Sequence, residues 1–168
     1  SFPSARPCSR VLGRIRKRPG SSSWVSQMTF AHCFIDTNIF IYSVGRDHPL
    51  KVQCIKVIQS IRSGKISAIL NTEIIQEILY RYQSIKELPH GIRLAREAIL
   101  LSEKILPVTE KDLSLALEIL ESYPQIETRD AFHAATMINN GIKEIISTDH
   151  HFDLISEIKR INPRKFQG

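Results

Sequence analysis

From Met28 onward, short apolar runs that read as strands alternate with longer segments of helical spacing, and that alternation admits few folds. Phe30 to Ile35 reads as a buried strand that ends at Asp36-Thr37-Asn38. Leu50 to Ile61 has apolar residues at helical spacing and stops at Ser63-Gly64, a helix C-terminus signal. Lys65 to Leu70 is a second strand and Thr72 to Tyr82 a helix, with Ile75, Ile78, Leu79 and Tyr82 on one stripe. Gly91 to Glu103 is a further helix. Ile105 to Val108 is a weak strand whose Pro107 suits a sheet edge. Glu110 to Ser122 and Arg129 to Asn140 are helices, Ile142 to Ser147 a strand, and Ile158 to Asn162 a last short strand. Strands alternating with helices imply βαβ units: a three-layer α/β/α sandwich around a mostly parallel sheet. In such a sheet, ligands bind outside the carboxyl ends of the strands.

The 168 residues allow one domain of ordinary size. The net charge of +6 invites a nucleic-acid partner, but its distribution removes that argument. Residues 1–27 hold Arg6, Arg10, Arg14, Arg16, Lys17 and Arg18 and no acid, so the whole excess lies there. Residues 28–168 carry 17 basic and 17 acidic side chains. The basic segment is rich in Arg, Ser and Pro and too poor in apolar residues to build a core. It resembles an organellar transit peptide. It also reads as sequence ahead of a native start at Met28, and that second reading is preferred. Residues 28–168 form the expected folded domain.

Three cysteines, Cys8, Cys33 and Cys54, match neither a disulfide framework nor a zinc motif, so a reducing cytoplasmic setting is expected. No stretch approaches the ~20 apolar residues of a membrane span.

Acidic residues stand where the strand-end rule places a site. Asp36 follows the first strand and Asp149 follows the strand ending Ile146-Ser147-Thr148. Each alone is a turn-forming aspartate; together they point to one rim. Asp130 lies in the first turn of its helix, where the helix dipole alone would explain an acid. That helix start nevertheless faces the same rim. Glu73 has the same dipole explanation, whereas Glu77 is mid-helix and periodicity favours it only weakly over a solvated surface acid. Carboxylates gathered at close range raise each other's pKa unless a cation joins them. Hard oxygen donors select Mg²⁺ or Mn²⁺ over zinc.

Taken together, these segments resemble the motifs of PIN domains. Phe34-Ile35-Asp36-Thr37-Asn38 is similar to the opening strand and its aspartate. Thr72 to Leu79 is similar to the second acidic motif, with its glutamate at Glu77. Thr128-Arg129-Asp130-Ala131-Phe132-His133-Ala134-Ala135 resembles the third, Ser147 to Asp153 the fourth, and Ile161-Asn162-Pro163 the closing strand. The resemblance spans roughly Phe30 to Phe166. It implies a Rossmann-like sandwich, ribonuclease chemistry dependent on a divalent metal, and frequent homodimers. The nearest group is the VapC-like toxins of toxin–antitoxin pairs, whose antitoxin partner blocks the acidic cleft. Carried over, Asp36 and Asp130 would be the principal metal ligands, and Glu77 and Asp149 would complete the pocket. Asn38 and Thr148 would be polar supports. A transit-like leader is foreign to that group.

Other readings carry less. A non-catalytic PIN-fold module that binds RNA or protein would be signalled by a lost acid, and all four acids are present. There is no Gly-rich phosphate loop, and Asp36-Thr37-Asn38 lacks the second aspartate of a haloacid-dehalogenase-type phosphatase. His150-His151, beside Asp149 and Asp153, is read as surface loop, because adjacent histidines are expected to diverge and no third ligand has metal spacing. His133, one turn after Asp130, is read as structural.

Overall fold

The computed structural model describes residues 31–45 and 47–166. The reading of 1–27 as a leader or upstream sequence therefore lies outside the described residues. The elements run β1 (Ala31–Ile35), α1 (Thr37–Val44), α2 (Lys51–Arg62), β2 (Ile66–Asn71), α3 (Thr72–Ser84), α4 (Leu88–Leu101), β3 (Lys104–Leu106), α5 (Glu110–Ser122), α6 (Thr128–Asn139), β4 (Glu144–Ile146) and β5 (Lys159–Ile161). All strand pairings are parallel and the order is β3-β2-β1-β4-β5.

That order places the site. From β1 the chain steps outward through β2 to β3, then crosses back to β4 and β5 on the other side of β1. The reversal opens a crevice at the carboxyl ends of β1 and β4, the position where open α/β sheets bind ligands. Helices α1 to α4 pack on one another and α5 packs on α6, the grouping expected when right-handed crossovers reverse direction at β1 and cover opposite faces. The central strands are covered on both sides: every residue of β2 is buried, as are Cys33, Phe34 and Ile35 of β1 and Ile145 and Ile146 of β4. Burial on both faces explains why these segments show no period-two alternation.

Most expected elements are present with shifted ends. α4 starts at Leu88 rather than Gly91, because Pro89 fits the first helical turn, where its missing N–H costs nothing. β3 is an edge strand, as Pro107 suggested, and ends just before that proline. Gly64 closes α2 with φ +77°, a conformation that favours glycine. Gly91 is required for contact: a Cβ there would sit 2.6 Å from Tyr82 Cβ, so α3 and α4 pack too closely for a side chain.

One α-helix was not expected. Residues 37–44 form helix α1, whereas the sequence suggested only a strand end at Asp36-Thr37-Asn38. Thr37, Ile39, Phe40 and Ile41 are all buried, so the helix shows no polar face to give a period. Among the described residues, no helix is long and apolar enough to cross a membrane.

Candidate functional site

Asp36 leaves β1 with its direction fixed by the sheet. Its N–H bonds the Ile146 carbonyl at 3.1 Å, adding a step to the β1–β4 ladder. It stands at the N-cap of α1, yet its carboxylate makes no capping hydrogen bond. Instead Ser147 Oγ donates to Asp36 Oδ2 at 2.7 Å. The same Oγ accepts the N–H of Asp149 at 2.9 Å. Ser147 is fully buried and follows β4 in register with Asp36, since Ile35 pairs with Ile146. One hydroxyl therefore ties the two strand ends together and aims both acids at the crevice.

Asp149 heads the short 3₁₀ turn His150–Leu154, and its Oδ1 accepts the N–H of His151 at 2.8 Å. Asp130, the third residue of α6, is 9% exposed. Glu77 reaches the cluster from the middle of α3. Thr37 Oγ1, adjacent to Asp36, donates to Glu77 Oε2 at 2.7 Å, and Arg129 Nη1 lies 3.2 Å from Oε1. His133 Nε2 lies 3.6 Å from Oε2, a contact longer than a hydrogen bond. His133 is fully buried and packs on Phe34 with ring centroids 5.6 Å apart. Neither of its ring nitrogens has a hydrogen-bond partner among the described residues.

The electrostatics separate these acids. Burial pushes the pKa of Asp130 up, and the charges of Asp36 and Asp149 raise it further, to about 9. Burial also raises Asp36, against the lowering influence of His133 and Ser147. Glu77 goes the other way. Burial raises it, but the contacts with His133 and Thr37 and the charges of His133 and Arg129 outweigh that and hold it below its ordinary value. Glu77 is thus a fixed carboxylate, whereas Asp130 shares its space with two other acids.

The structure brings Asp36, Glu77, Asp130 and Asp149 to one crevice. Asn38 and Thr148 are half-buried beside it, but among the described residues neither makes a side-chain hydrogen bond to the cluster. Three residues gain roles that sequence reasoning did not give them: Ser147, Thr37 and Arg129. Each is adjacent to an acid or, for Ser147, opposite one in register, which was the available signal. His150 and His151 lie in a turn after β4, as expected, but their rings do not diverge. Their rings lie 4.4 Å apart at 32°, and with Asp149 they place one ligand atom each within 4.8 Å of one another.

Oxygen donors of this kind suit a hard divalent cation. The raised Asp130 provides a test on the residues themselves. A buried Asp130 whose ionisation is opposed by the charges of Asp36 and Asp149 beside it is what a site built for a cation looks like without that charge, so the donor set fits such an ion.

A PIN domain model matches residues 33–158. The chain is 34% identical over 128 residues to the VapC ribonuclease Mb1869c of Mycobacterium bovis, an alignment covering 76% of this chain and 97% of that protein. Among solved structures it resembles VapC20 of Mycobacterium tuberculosis, a sarcin–ricin-loop-cleaving toxin. The TM-score is 0.61 at 18% identity, over 74% of this chain and 95% of that one. It also resembles VapBC2 of Rickettsia felis bound to a fragment of promoter DNA, with TM-score 0.58 at 15% identity, over 78% of this chain and 98% of that one.

Proposed function

Because the chain belongs to the PIN domain family and is similar throughout its fold to VapC ribonucleases, we propose that Asp36, Glu77, Asp130 and Asp149 form the active site of an Mg²⁺-dependent endoribonuclease, with Mn²⁺ able to substitute. The reaction is hydrolysis of an RNA phosphodiester, and the biological role is that of the toxin in a toxin–antitoxin pair. The observation that carries this reading is the convergence of four acids at the β1/β4 crevice, with the pKa of Asp130 raised to about 9 by its buried setting and its acidic neighbours.

Asp36 and Asp130 would be the principal ligands, with Glu77 and Asp149 completing the pocket. The ion, when bound, orients and activates the attacking water and offsets charge on the leaving oxygen. The protein's own groups supply position. Ser147 holds Asp36 and the backbone of Asp149 in one geometry. Thr37 and Arg129 hold Glu77 from two sides while His133 closes the back of its pocket. Arg129 is half-exposed at the rim, which places a guanidinium where a substrate phosphate would approach. The described domain has no overall basic excess, so RNA affinity would come from such local contacts rather than a long-range field.

A homodimer, an antitoxin partner and a cytoplasmic setting accompany this reading. The exposed Leu113 and Leu117 of α5 and Ile99 and Leu100 of α4 leave apolar surface for protein partners. The buried Cys33 and Cys54, both free thiols, suit a reducing compartment. The test is cleavage of single-stranded RNA by wild type and Asp36→Asn, paired with Mn²⁺ calorimetry. The variant should fold, lose at least a hundredfold in rate and bind Mn²⁺ more weakly. Undiminished cleavage by a folded Asp36→Asn protein would overturn the assignment.

A further inference from the structure

We propose that Asp149, His150 and His151 form a second cation site, suited to a borderline divalent ion of the zinc class rather than to Mg²⁺. The acidic cluster offers only carboxylate oxygens, whereas this turn offers two imidazoles and one carboxylate. Imidazole donors suit zinc and the later first-row metals, and Mg²⁺ avoids them.

The geometry is close to what such an ion needs. A tetrahedral zinc with bonds of about 2.0–2.1 Å holds its ligand atoms roughly 3.3–3.4 Å apart. Asp149 Oδ1 lies 2.9 Å from His151 Nδ1 and 3.9 Å from His150 Nδ1, so the two spacings straddle that value. All three ligand atoms lie within 4.8 Å of one another, and the closing-in that an ion requires falls on the freer ring, because the His150 side chain is 78% exposed. His151 Nδ1 is buried and has no hydrogen-bond partner despite the nearby oxygen. His151 Nδ1 therefore lies 2.9 Å from a carboxylate oxygen without hydrogen-bond alignment to it, an arrangement in which the neutral ring can turn its lone pair to a cation that the carboxylate also holds.

The supporting contacts have the form of a metal site's outer shell. The His151 N–H bonds Asp149 Oδ1 at 2.8 Å, and the Asp149 N–H is held by Ser147 Oγ at 2.9 Å. The first fixes the carboxylate's direction and the second the backbone that carries it, the role that outer hydrogen bonds play around ligands. Three protein ligands leave a fourth position open to water or to an external group. Asp149 is shared with the acidic cluster, so occupation of this turn draws one carboxylate away from it.

The experiment titrates ZnCl₂, CoCl₂ and MnCl₂ separately into the full chain after treatment with EDTA and its removal. Calorimetry is expected to show one Zn²⁺ bound per chain at the turn, and Co²⁺ to give the visible d–d bands of a four-coordinate site. His150→Ala, a change at an exposed ring, should weaken Zn²⁺ at least tenfold and leave Mn²⁺ affinity unchanged. Asp36→Asn should do the reverse. Equal Zn²⁺ affinity in the His150→Ala/His151→Ala protein would overturn the proposal, as would a sulfur-to-cobalt charge-transfer band or the absence of stoichiometric Zn²⁺ binding.

Discussion

Asp130→Asn should make the metal-free protein more stable. Asp130 has its pKa raised from 3.8 to about 9, chiefly by burial and then by Asp36 and Asp149. In the folded chain it keeps its proton over a range where the unfolded chain has lost it. For a raised carboxyl, the favourable contribution is complete below the unfolded pKa and drains away as pH climbs to the folded one, here between about 4 and 9. A tenfold difference in proton affinity between the folded and unfolded chains corresponds to about 1.4 kcal/mol, so the loss by pH 7 approaches about 4 kcal/mol as an upper bound. Coupling to Asp36 and Asp149 spreads that cost over the group, and about 2 kcal/mol is a working value for this one site. Asparagine removes the titration while keeping the shape and a donor towards Asp149. At roughly 2–4 °C per kcal/mol for a chain of this size, the variant should melt about 4–8 °C higher at pH 7 in EDTA. The assay is thermal unfolding followed by circular dichroism at pH 4.5, 7 and 8.5. The gap should grow with pH and shrink or reverse when Mn²⁺ is added, because only wild type gains from binding. An EDTA-treated variant no more stable than wild type at pH 7 and 8.5 would refute the argument.

Ser147→Ala removes a hydrogen bond to a buried carboxylate, a contact worth about 1.5–3 kcal/mol. RNA cleavage and Mn²⁺ affinity should both fall by roughly tenfold or more, while far-UV circular dichroism is unchanged. Gly91→Ala forces α4 away from Tyr82, and denaturant titration should show a loss of about 1–3 kcal/mol. Stripping metal with EDTA should abolish RNA cleavage, and Mg²⁺ or Mn²⁺ should restore it where Ca²⁺ does so poorly. Glu77 has its pKa held below the ordinary value, so its contribution is present above about pH 4.5 and is lost as acid protonates the folded carboxyl. Arg129→Ala should therefore reduce stability at pH 7 more than at pH 3, as read by melting temperature.

The parallel sheet and two of the acids were legible because both depend on local pattern. A buried parallel strand is a short apolar run, and an aspartate that closes one shows where the strand ends; Asp36 and Asp149 were found that way. Helix α1 was not legible, because a helix buried on nearly all sides loses the polar face that makes a helix readable. Glu77 could be placed only through family resemblance, since its partners, Thr37 and Arg129, lie far from it in the chain. Ser147 was hidden for another reason. A buried serine after a strand is unremarkable until the register shows it opposite Asp36. The closeness of the two histidine rings was not legible because side-chain direction depends on the turn that carries them, and sequence spacing alone does not report that turn.

The pairing of Ile35 with Ile146 acts as a ruler. Adjacent strands stand about 4.8 Å apart by the length of their backbone hydrogen bonds, so the gap between the chain segments carrying Asp36 and Asp149 is fixed by atoms every residue has in common. Substitutions in the surrounding helices and loops can reshape the approaches to the crevice, and with them the choice of target, without moving that gap. A lineage of such chains can therefore drift far in sequence and still keep the same separation between the two strand ends. Only a slip of register could change it, and that would turn the core residues of a whole strand to the wrong face.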